Sequence, residues 1–306
     1  MMMNLVNTIT AFEKDMELQI SLLKSFKKQK PISKNNQKNT IFSGSGDSLV
    51  SSMMAESLSD GLVRAMDPMD LYRNKSLVKS KNVYFVSISG NTITNIKTAC
   101  HAKHSTAITA KPDSRLASAT NNTIILNAET HHVFTAGSIS FLESALTCMS
   151  LVKNIKIPRN SKLFSKAKRD SQNHLVSKKI YVLGSRFTFP LAMYCAAKFY
   201  EIMGYDAHYC KIEQFSHMEL FSAKKGDTVI VFEEKNPHNS QLVKNLKKVG
   251  MNVIHPSIPT EKMSQFLYCT FFSQFLALNE AKRKHRRDCY FVTATKLRNV
   301  SNQMIY

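Results

Sequence analysis

The sequence predicts an α/β protein made of two doubly wound, parallel-sheet domains with helices on both faces. Short apolar runs rich in β-branched residues, such as Val83–Val86 and Thr228–Phe232, are typical of buried strands. Helical periodicity follows most of these runs after a short connection, which is the βαβ rhythm of a parallel sheet. A strand, a glycine turn and a helix at Phe42–Gly46 recur at Leu183–Gly184, which indicates two divergent copies of one unit.

The first half is predicted to contain an N-terminal helix and four strand–helix units. An amphipathic helix is expected over residues 4–28, followed by a lysine-rich loop that reaches residue 39. Strands are expected at Thr40–Phe42, Val83–Val86, Ser105–Thr109 and Thr123–Leu126. Helices are expected at 49–58, from Asn91 or Thr92 to Ala99, at Ser114–Ala119 and at Ser138–Val152.

The second half repeats this pattern. Strands are expected at Ile180–Leu183, Thr228–Phe232 and Val253–Ile254, and helices at Pro190–Met203, Ser240–Val249 and from Met263 to about Lys284. The resulting domain prediction is an N-terminal helix and loop (1–39), a first domain (40–152), a basic linker (153–178) and a second domain with a C-terminal helix (179–306).

Composition limits the classes of function. The 306 residues are 43% hydrophobic, so the chain can bury a large core, and the formal net charge is +20. The lysines and arginines are spread over the chain, and no zinc-finger spacing, helix-turn-helix signature or RNA-binding aromatic motif accompanies them. The sequence therefore predicts general basicity with a phosphorylated small-molecule substrate, and nucleic acid is not an expected partner.

Cysteine usage and the N-terminal residues predict a cytoplasmic location. The six cysteines are widely spaced without a CxxC pair, which favours reduced thiols and disfavours a zinc site or disulfide framework. Residues 1–20 lack a basic start, and Glu13 and Asp15 interrupt their apolar positions, so no signal peptide is expected. No uncharged apolar run is long enough to span a bilayer, and no membrane association is expected.

The segment Ser87–Thr92 (SISGNT) carries the clearest binding signal. It joins a predicted strand to a predicted helix through small hydroxyl residues. Free backbone N–H groups, hydroxyl donors and the positive end of a helix can together hold a phosphate group. The same residues can equally well serve only to cap the helix. The glycines of Gly44–Ser48 allow the backbone to approach a ligand closely in a similar turn.

Four motifs, taken together, resemble the sugar isomerase (SIS) family in its double-domain, flavodoxin-like form. This family includes bifunctional phosphoglucose/phosphomannose isomerases and the isomerase domain of glucosamine-6-phosphate synthase. SISGNT resembles the family's SxSGxT phosphate loop, and GSGDS at Gly44–Ser48 resembles its first glycine turn. GSRFTFP at Gly184–Pro190 resembles the turn before the helix with the catalytic carboxylate. Glu201 and His217 are sixteen residues apart, which is similar to the spacing of the family's glutamate and histidine.

The resemblance implies a role for each motif residue. Glu201 would be the enediol base and His217 the ring-opening group, with Glu213 as the second acid/base candidate. Lys296 matches the family's C-terminal active-site lysine. Phosphate would be bound by hydroxyl groups, with glycine backbone close to the substrate; these residues are Ser48, Ser87, Ser89 and Thr92, and Gly44, Gly46, Gly90 and Gly184. The ligand is expected between the two domains, and the family favours a homodimer.

These residue types suit aldose–ketose isomerisation of a hexose 6-phosphate. A carboxylate can move a proton between C1 and C2 through an enediol, and a histidine can open the sugar ring at neutral pH. The reaction requires no metal and no redox cofactor. By residue type alone, Glu201 can also be a solvated helix-face residue and His217 an ordinary polar side chain. Deamination or amination of an amino-sugar phosphate, and sugar-phosphate sensing without catalysis, stay open as alternatives.

Overall fold

The computed structural model describes residues 7–158 and 161–306. The strands are β1 (Thr40–Ser43), β2 (Arg64–Met66), β3 (Asn82–Val86), β4 (His104–Thr109), β5 (Asn122–Ile125), β6 (Lys179–Gly184), β7 (Asp206–Lys211), β8 (Thr228–Val231) and β9 (Asn252–Ile254). The helices are α1 (Thr8–Ser25), α2 (Lys34–Gln37), α3 (Asp47–Leu58), α4 (Pro68–Arg73), α5 (Ile93–Ala99), α6 (Arg115–Ala119), α7 (Ile139–Val152), α8 (Lys162–Ser171), α9 (Phe189–Met203), α10 (Ile212–His217), α11 (Pro237–Lys248), α12 (Lys262–Arg283), α13 (Tyr290–Thr293) and α14 (Thr295–Ile305).

The chain forms two compact units, each with its own parallel sheet. The first-sheet unit contains residues 25–130, 137–156 and 295–306, and its strand order is β2-β1-β3-β4-β5. The second-sheet unit contains the described residues 7–24, 131–136, 157–158 and 161–294, and its strand order is β7-β6-β8-β9. Every strand pair in both sheets is parallel. The predicted α/β class with two parallel sheets flanked by helices is confirmed.

The core of each unit is built in the same way, from apolar side chains of the strands and of the helices that cover them. In the first-sheet unit, Val83 and Phe85 of β3 point to one face, where they pack with Leu71 and Leu116. In the second-sheet unit, Tyr181 and Leu183 of β6, Val229 and Val231 of β8, and Leu246 of α11 form the equivalent layer. Alternate residues of a strand share one face, so a fully apolar strand can bury both faces under helices.

Local signals account for several helix boundaries. Proline occupies the first turn of α4 and of α11, and the side chains of Asp67 and Asn236 accept hydrogen bonds from the first free N–H groups of those helices. Helix α9 ends where Gly204 adopts a left-handed conformation with φ of 67° and donates its N–H to the carbonyl of Tyr200.

The structure differs from the sequence prediction at two strands, in the basic stretch, and at the unpredicted helices α2, α4, α10, α13 and α14. β2 and β7 were not predicted. β2 has only three residues, and β7 mixes buried and exposed residues, so neither forms an apolar run. The stretch 153–178, expected to be a linker, contains α8, which packs on α12; the ring of Phe164 lies 5.2 Å from that of Phe271 and 4.9 Å from that of Phe275. The N-terminal helix is described from Thr8, and residues 4–6 of the prediction lie outside the described residues.

Candidate functional site

The turn after β1 brings backbone close to backbone. A Cβ atom on Gly44 would lie 2.7 Å from the backbone carbon of Ser48, so this turn has no room for a side chain. Ser48 donates its N–H to the carbonyl of Ser45 at 3.1 Å, and Gly46, with φ of 57°, caps α3. Ser45 and Gly46 are exposed. The turn therefore presents backbone to solvent at the carboxyl end of β1.

The loop after β3 holds two hydroxyl groups side by side. The Oγ of Ser87 lies 3.1 Å from the Oγ1 of Thr92, and the Oγ of Ser89 accepts a hydrogen bond from the N–H of Asn91 at 3.3 Å. Gly90 has φ of 64°, and a Cβ atom there would lie 2.1 Å from the Oγ of Ser114. This loop is a tightly built turn whose geometry depends on that glycine.

The two turns meet at one edge of the first sheet. β1 and β3 are adjacent and parallel, with Ser43 in register with Phe85, so their carboxyl ends lie about 4.8 Å apart. The strand order reverses between these two strands, and in open α/β sheets ligands bind at such a point. The structure thus brings Gly44, Ser48 and the Ser87–Thr92 loop together, as an anion site would require.

Asn95 is a polar group at this edge that the motifs did not reveal. Its side chain is fully buried in α5, and its Oδ1 lies 3.5 Å from the hydroxyl of Ser43, which donates to it. Its Nδ2 has no hydrogen-bond partner among the described residues. Leaving a buried amide N–H unpaired costs about 1–3 kcal/mol. The Nδ2 of Asn95 is therefore a candidate to donate a hydrogen bond to a bound ligand or water. The signal in the sequence is a polar residue among the apolar positions of a short helix.

Glu201 is held by a lysine that the sequence analysis did not assign. The Nζ of Lys198 lies 2.6 Å from the Oε2 of Glu201, one turn along α9. The lysine side chain is 0% exposed, whereas that of Glu201 is 33% exposed. The ammonium also lies 4.7 Å from the ring centre of Tyr194, whose hydroxyl accepts a hydrogen bond from Gln274. A buried cation thus fixes a carboxylate that reaches solvent on one side.

His217 and Glu213 form a separate, exposed pair in α10. The Nε2 of His217 lies 3.2 Å from the Oε1 of Glu213, and their side chains are 67% and 82% exposed. None of the described contacts of His217 reaches Glu201. The structure therefore pairs the candidate ring-opening group with the second acid/base candidate. Lys296 is exposed in the first turn of α14, in the first-sheet unit.

The glycine turn after β6 resembles the turn after β1, but the carboxylate of Glu233 is hydrogen-bonded to it. A Cβ atom on Gly184 would lie 2.7 Å from the carbonyl oxygen of Thr188, an approach as close as that at Gly44. The hydroxyl of Thr188 donates to the Oε1 of Glu233 at 2.7 Å and accepts a hydrogen bond from the backbone N–H of Ser185 at 2.9 Å. Burial raises the pKa of Glu233, while hydrogen bonding opposes the rise. An internal anion at this turn disfavours a second one.

Distance along α9 separates this turn from Glu201. Glu201 lies twelve residues after Phe189, which corresponds to about 18 Å of helix. Gly184, just before α9, and Glu201, in its last turn, are therefore far apart. Glu233 was missed by the sequence analysis because it follows β8, whereas the turn follows β6, and only the sheet order makes them neighbours.

The described residues contain no candidate metal cluster and no candidate membrane span. Across residues 7–158 and 161–306, no group of three or more His, Cys, Asp and Glu side chains could hold a metal ion. Within the same ranges, no helix has both the length and the apolar character needed to cross a bilayer.

Comparison with known proteins bears on the family and on the fold. The family model of the SIS domain matches residues 175–262. Curated protein sequences give no significant match. Among solved structures, the chain is similar to glucosamine-6-phosphate deaminase from Thermotoga maritima, with 18% identity and a TM-score of 0.75, covering 92% of this chain and 95% of that one.

Two further solved structures share the fold. The C-terminal domain of glucosamine-fructose-6-phosphate aminotransferase from Francisella tularensis has 16% identity and a TM-score of 0.69, covering 90% of this chain and 95% of that one. Tagatose-6-phosphate ketose/aldose isomerase from Escherichia coli has 18% identity and a TM-score of 0.66, covering 91% and 92%. The SIS domain model thus matches residues 175–262, and the chain as a whole shares its fold with these three solved structures.

Proposed function

We propose that this protein is an aldose–ketose isomerase that acts on a hexose 6-phosphate through an enediol intermediate. The observation that carries the proposal is the Lys198–Glu201 pair, in which a fully buried ammonium holds a partly exposed carboxylate at 2.6 Å. A proton-transferring base must be accessible on one side and fixed on the other, because misplacement by about 1 Å can lower the rate about a hundredfold. The SIS match over residues 175–262 includes both residues.

The phosphate group is assigned to the switch point of the first sheet. Ser87, Ser89, Thr92 and Ser48 would donate hydroxyl hydrogen bonds, and the backbone of Gly44, Gly46 and Gly90 would approach the phosphate oxygens. These contacts are remote from C1 and C2, so they position the sugar and take no part in bond making. The carboxylate of Glu233 in the corresponding turn of the second sheet supports this choice, because it leaves that turn unsuited to an anion.

In this mechanism, the carboxylate of Glu201 removes the proton from one of the two carbons and returns it to the other. Lys198 keeps that carboxylate in place. His217 would open the sugar ring, and Glu213, 3.2 Å from its Nε2, would orient the imidazole. Lys296 is retained as a candidate substrate contact. The step needs neither a metal nor a redox cofactor.

The test is turnover of four substrates by the wild type and by Glu201→Gln. Fructose 6-phosphate, glucose 6-phosphate and mannose 6-phosphate are assayed for aldose–ketose exchange, and glucosamine 6-phosphate for ammonia release. We expect isomerisation by the wild type and a loss of at least about a thousandfold in kcat for Glu201→Gln, with phosphate-ligand affinity largely retained. Glu17→Gln, at an exposed position of α1, is the matched carboxylate control, and we expect its turnover to equal that of the wild type.

Three outcomes separate the alternatives. Near-normal turnover by Glu201→Gln contradicts the assignment of the base. Ammonia release from glucosamine 6-phosphate without aldose–ketose exchange favours deamination, the reaction named for the Thermotoga maritima structure. Tight binding of a sugar phosphate with no turnover of any substrate favours a sensor. We also propose that the protein is cytoplasmic and forms a homodimer. Light scattering on the purified protein tests the homodimer by measuring its molar mass.

A further inference from the structure

The lysines of the first-sheet unit are concentrated by the fold at one edge of its sheet. Residues 25–46, 71–112 and 144–158 contain no aspartate or glutamate. In a parallel sheet all strands begin at the same edge, so the residues that precede β1, β3 and β4 lie side by side. Six exposed lysines at this amino edge define what we call the basic edge: Lys34, Lys38, Lys79, Lys103, Lys153 and Lys156.

Hydrogen bonds join these segments into one continuous surface. The Nε2 of Gln37, just before β1, donates to the carbonyl of Val152 at the end of α7, at 2.8 Å. The N–H of Asn82, at the start of β3, donates to the carbonyl of Asn39 at 2.9 Å. The N–H of His104, at the start of β4, donates to the carbonyl of Lys81 at 3.4 Å. Segments separate in sequence are therefore neighbours in space.

The charge of the basic edge is not neutralised within the described structure. None of the described ion pairs includes a lysine of the basic edge. This contrasts with Lys282 and Arg283 of the second-sheet unit, which pair with Glu13 and Glu280. The acidic residues near this edge, Glu56 and Asp60, lie at the end of α3 beside β2, outside the β1–β3–β4 region. The edge is thus a positive surface open to an external anion.

We propose that the basic edge binds the phosphate backbone of a nucleic acid without sequence preference. The starts of β1, β3 and β4 span about 10 Å, while phosphates of one duplex strand follow each other at about 3.4 Å of helix axis. The surface can therefore contact several phosphates at once. Lysine contributes a point charge and carries no base-reading geometry, which agrees with the absence of a recognition motif from the sequence. This surface is at the opposite edge of the sheet from the Ser87–Thr92 loop.

The exposed side chains favour a nucleic acid over a membrane surface. Helices or patches that bind membranes insert large apolar groups among their lysines. Of the large apolar side chains that are exposed in the described structure, only Leu77, at 37%, lies in the segments free of acidic residues. A surface with charge and almost no apolar anchor is suited to a phosphodiester backbone, for which electrostatic contacts supply most of the affinity.

The test compares two triple variants that remove equal charge. The edge variant is Lys34→Glu, Lys38→Glu and Lys153→Glu, and the control is Lys244→Glu, Lys247→Glu and Lys248→Glu on the exposed face of α11. Binding to a labelled DNA duplex of about 20 base pairs, and to a single-stranded RNA of similar length, is followed by fluorescence anisotropy between about 50 and 200 mM salt. Urea unfolding verifies that each variant is folded.

We expect the wild type and the control to bind, with the logarithm of affinity falling linearly against the logarithm of salt concentration. The edge variant is expected to lose about tenfold or more in affinity, with a slope on duplex DNA that is shallower by about 2 to 3. Equal losses in both triple variants would overturn the proposal, because net charge and not this surface would then be responsible. Binding to phosphatidylglycerol vesicles in the absence of nucleic-acid binding would overturn it in favour of a membrane.

Discussion

The two members of the Lys198–Glu201 pair differ in burial, which predicts unequal effects on stability when either is replaced. In Glu201→Gln, the ammonium of Lys198, 0% exposed, faces a neutral amide in place of the carboxylate at 2.6 Å. We expect the free energy of unfolding to fall by about 3 kcal/mol, because a buried charge loses a close ionic partner. In Lys198→Met, an apolar chain of similar length replaces the buried stem, and Glu201, 33% exposed, is left with access to water. We expect a change of less than about 1 kcal/mol there.

Urea unfolding at neutral pH, followed by circular dichroism, measures both changes. Lys282→Met is the matched control, because Lys282 pairs with Glu13 but its side chain is 51% exposed. Removing an exposed pair is expected to change the free energy of unfolding by less than about 1 kcal/mol. Equal stability of Glu201→Gln and Lys198→Met would refute the reasoning, since burial of the cation would then not affect the free energy of unfolding.

Kinetics of Lys198→Met separates positioning from mere structural pairing. If the lysine holds the catalytic carboxylate, kcat should fall about 10- to 100-fold while KM for the sugar phosphate changes little, because the phosphate contacts are untouched. An unchanged kcat in a folded Lys198→Met protein would mean that the pair serves the packing of α9 alone.

The remaining predictions concern the turns and one buried carboxylate. Gly90→Ala should lower stability by about 3 kcal/mol and weaken sugar-phosphate binding, because its Cβ would meet Ser114 at 2.1 Å, whereas Gly46→Ala, with open space around it, should cost about 1 kcal/mol in unfolding experiments. Burial raises the pKa of Glu143, so its contribution to stability is present below the ordinary glutamate pKa and is lost as pH rises through the raised value; Glu143→Gln should lack this loss in urea titrations at about pH 4 and pH 7. Glu233→Ala should leave KM for the sugar phosphate unchanged, and a lowered KM would place the phosphate at the second turn instead, because the variant removes a carboxylate that repels it.

Much of the fold follows from local patterns in the sequence. Apolar strands such as β3 and β8 are recognisable because buried parallel strands are apolar on both faces. The long helices α9 and α12 were predicted to within about one or two residues, since their periodicity and end signals are local. The edge strands β2 and β7 were missed because an edge strand that is short or half exposed has no such pattern.

The candidate site likewise contains residues that the sequence predicted and residues that it did not. The Ser87–Thr92 loop and the Gly44 turn were predicted as one anion site, and the structure places them on adjacent strands. Asn95 and Glu233 were not predicted, because each is defined by a hydrogen-bond partner that is distant in sequence. Asn95 accepts a hydrogen bond from the Ser43 hydroxyl at the end of β1, and Glu233 accepts one from Thr188 in the turn after β6. Lys198 could have been found from its position three residues before Glu201, a spacing that joins side chains on a helix.

Local patterns in the sequence are enough to predict the alternation of strands and helices, the turn residues that allow close backbone approach, and the motifs that resemble one enzyme family. These depend on residues within a few positions of one another, where backbone sterics and side-chain periodicity act. The folded chain was needed to show that Glu233 accepts a hydrogen bond within the second glycine turn, that Lys198 is wholly buried, and that scattered lysines lie along one edge. The reason is that strand order and burial bring together groups far apart in the chain, and no local pattern specifies them.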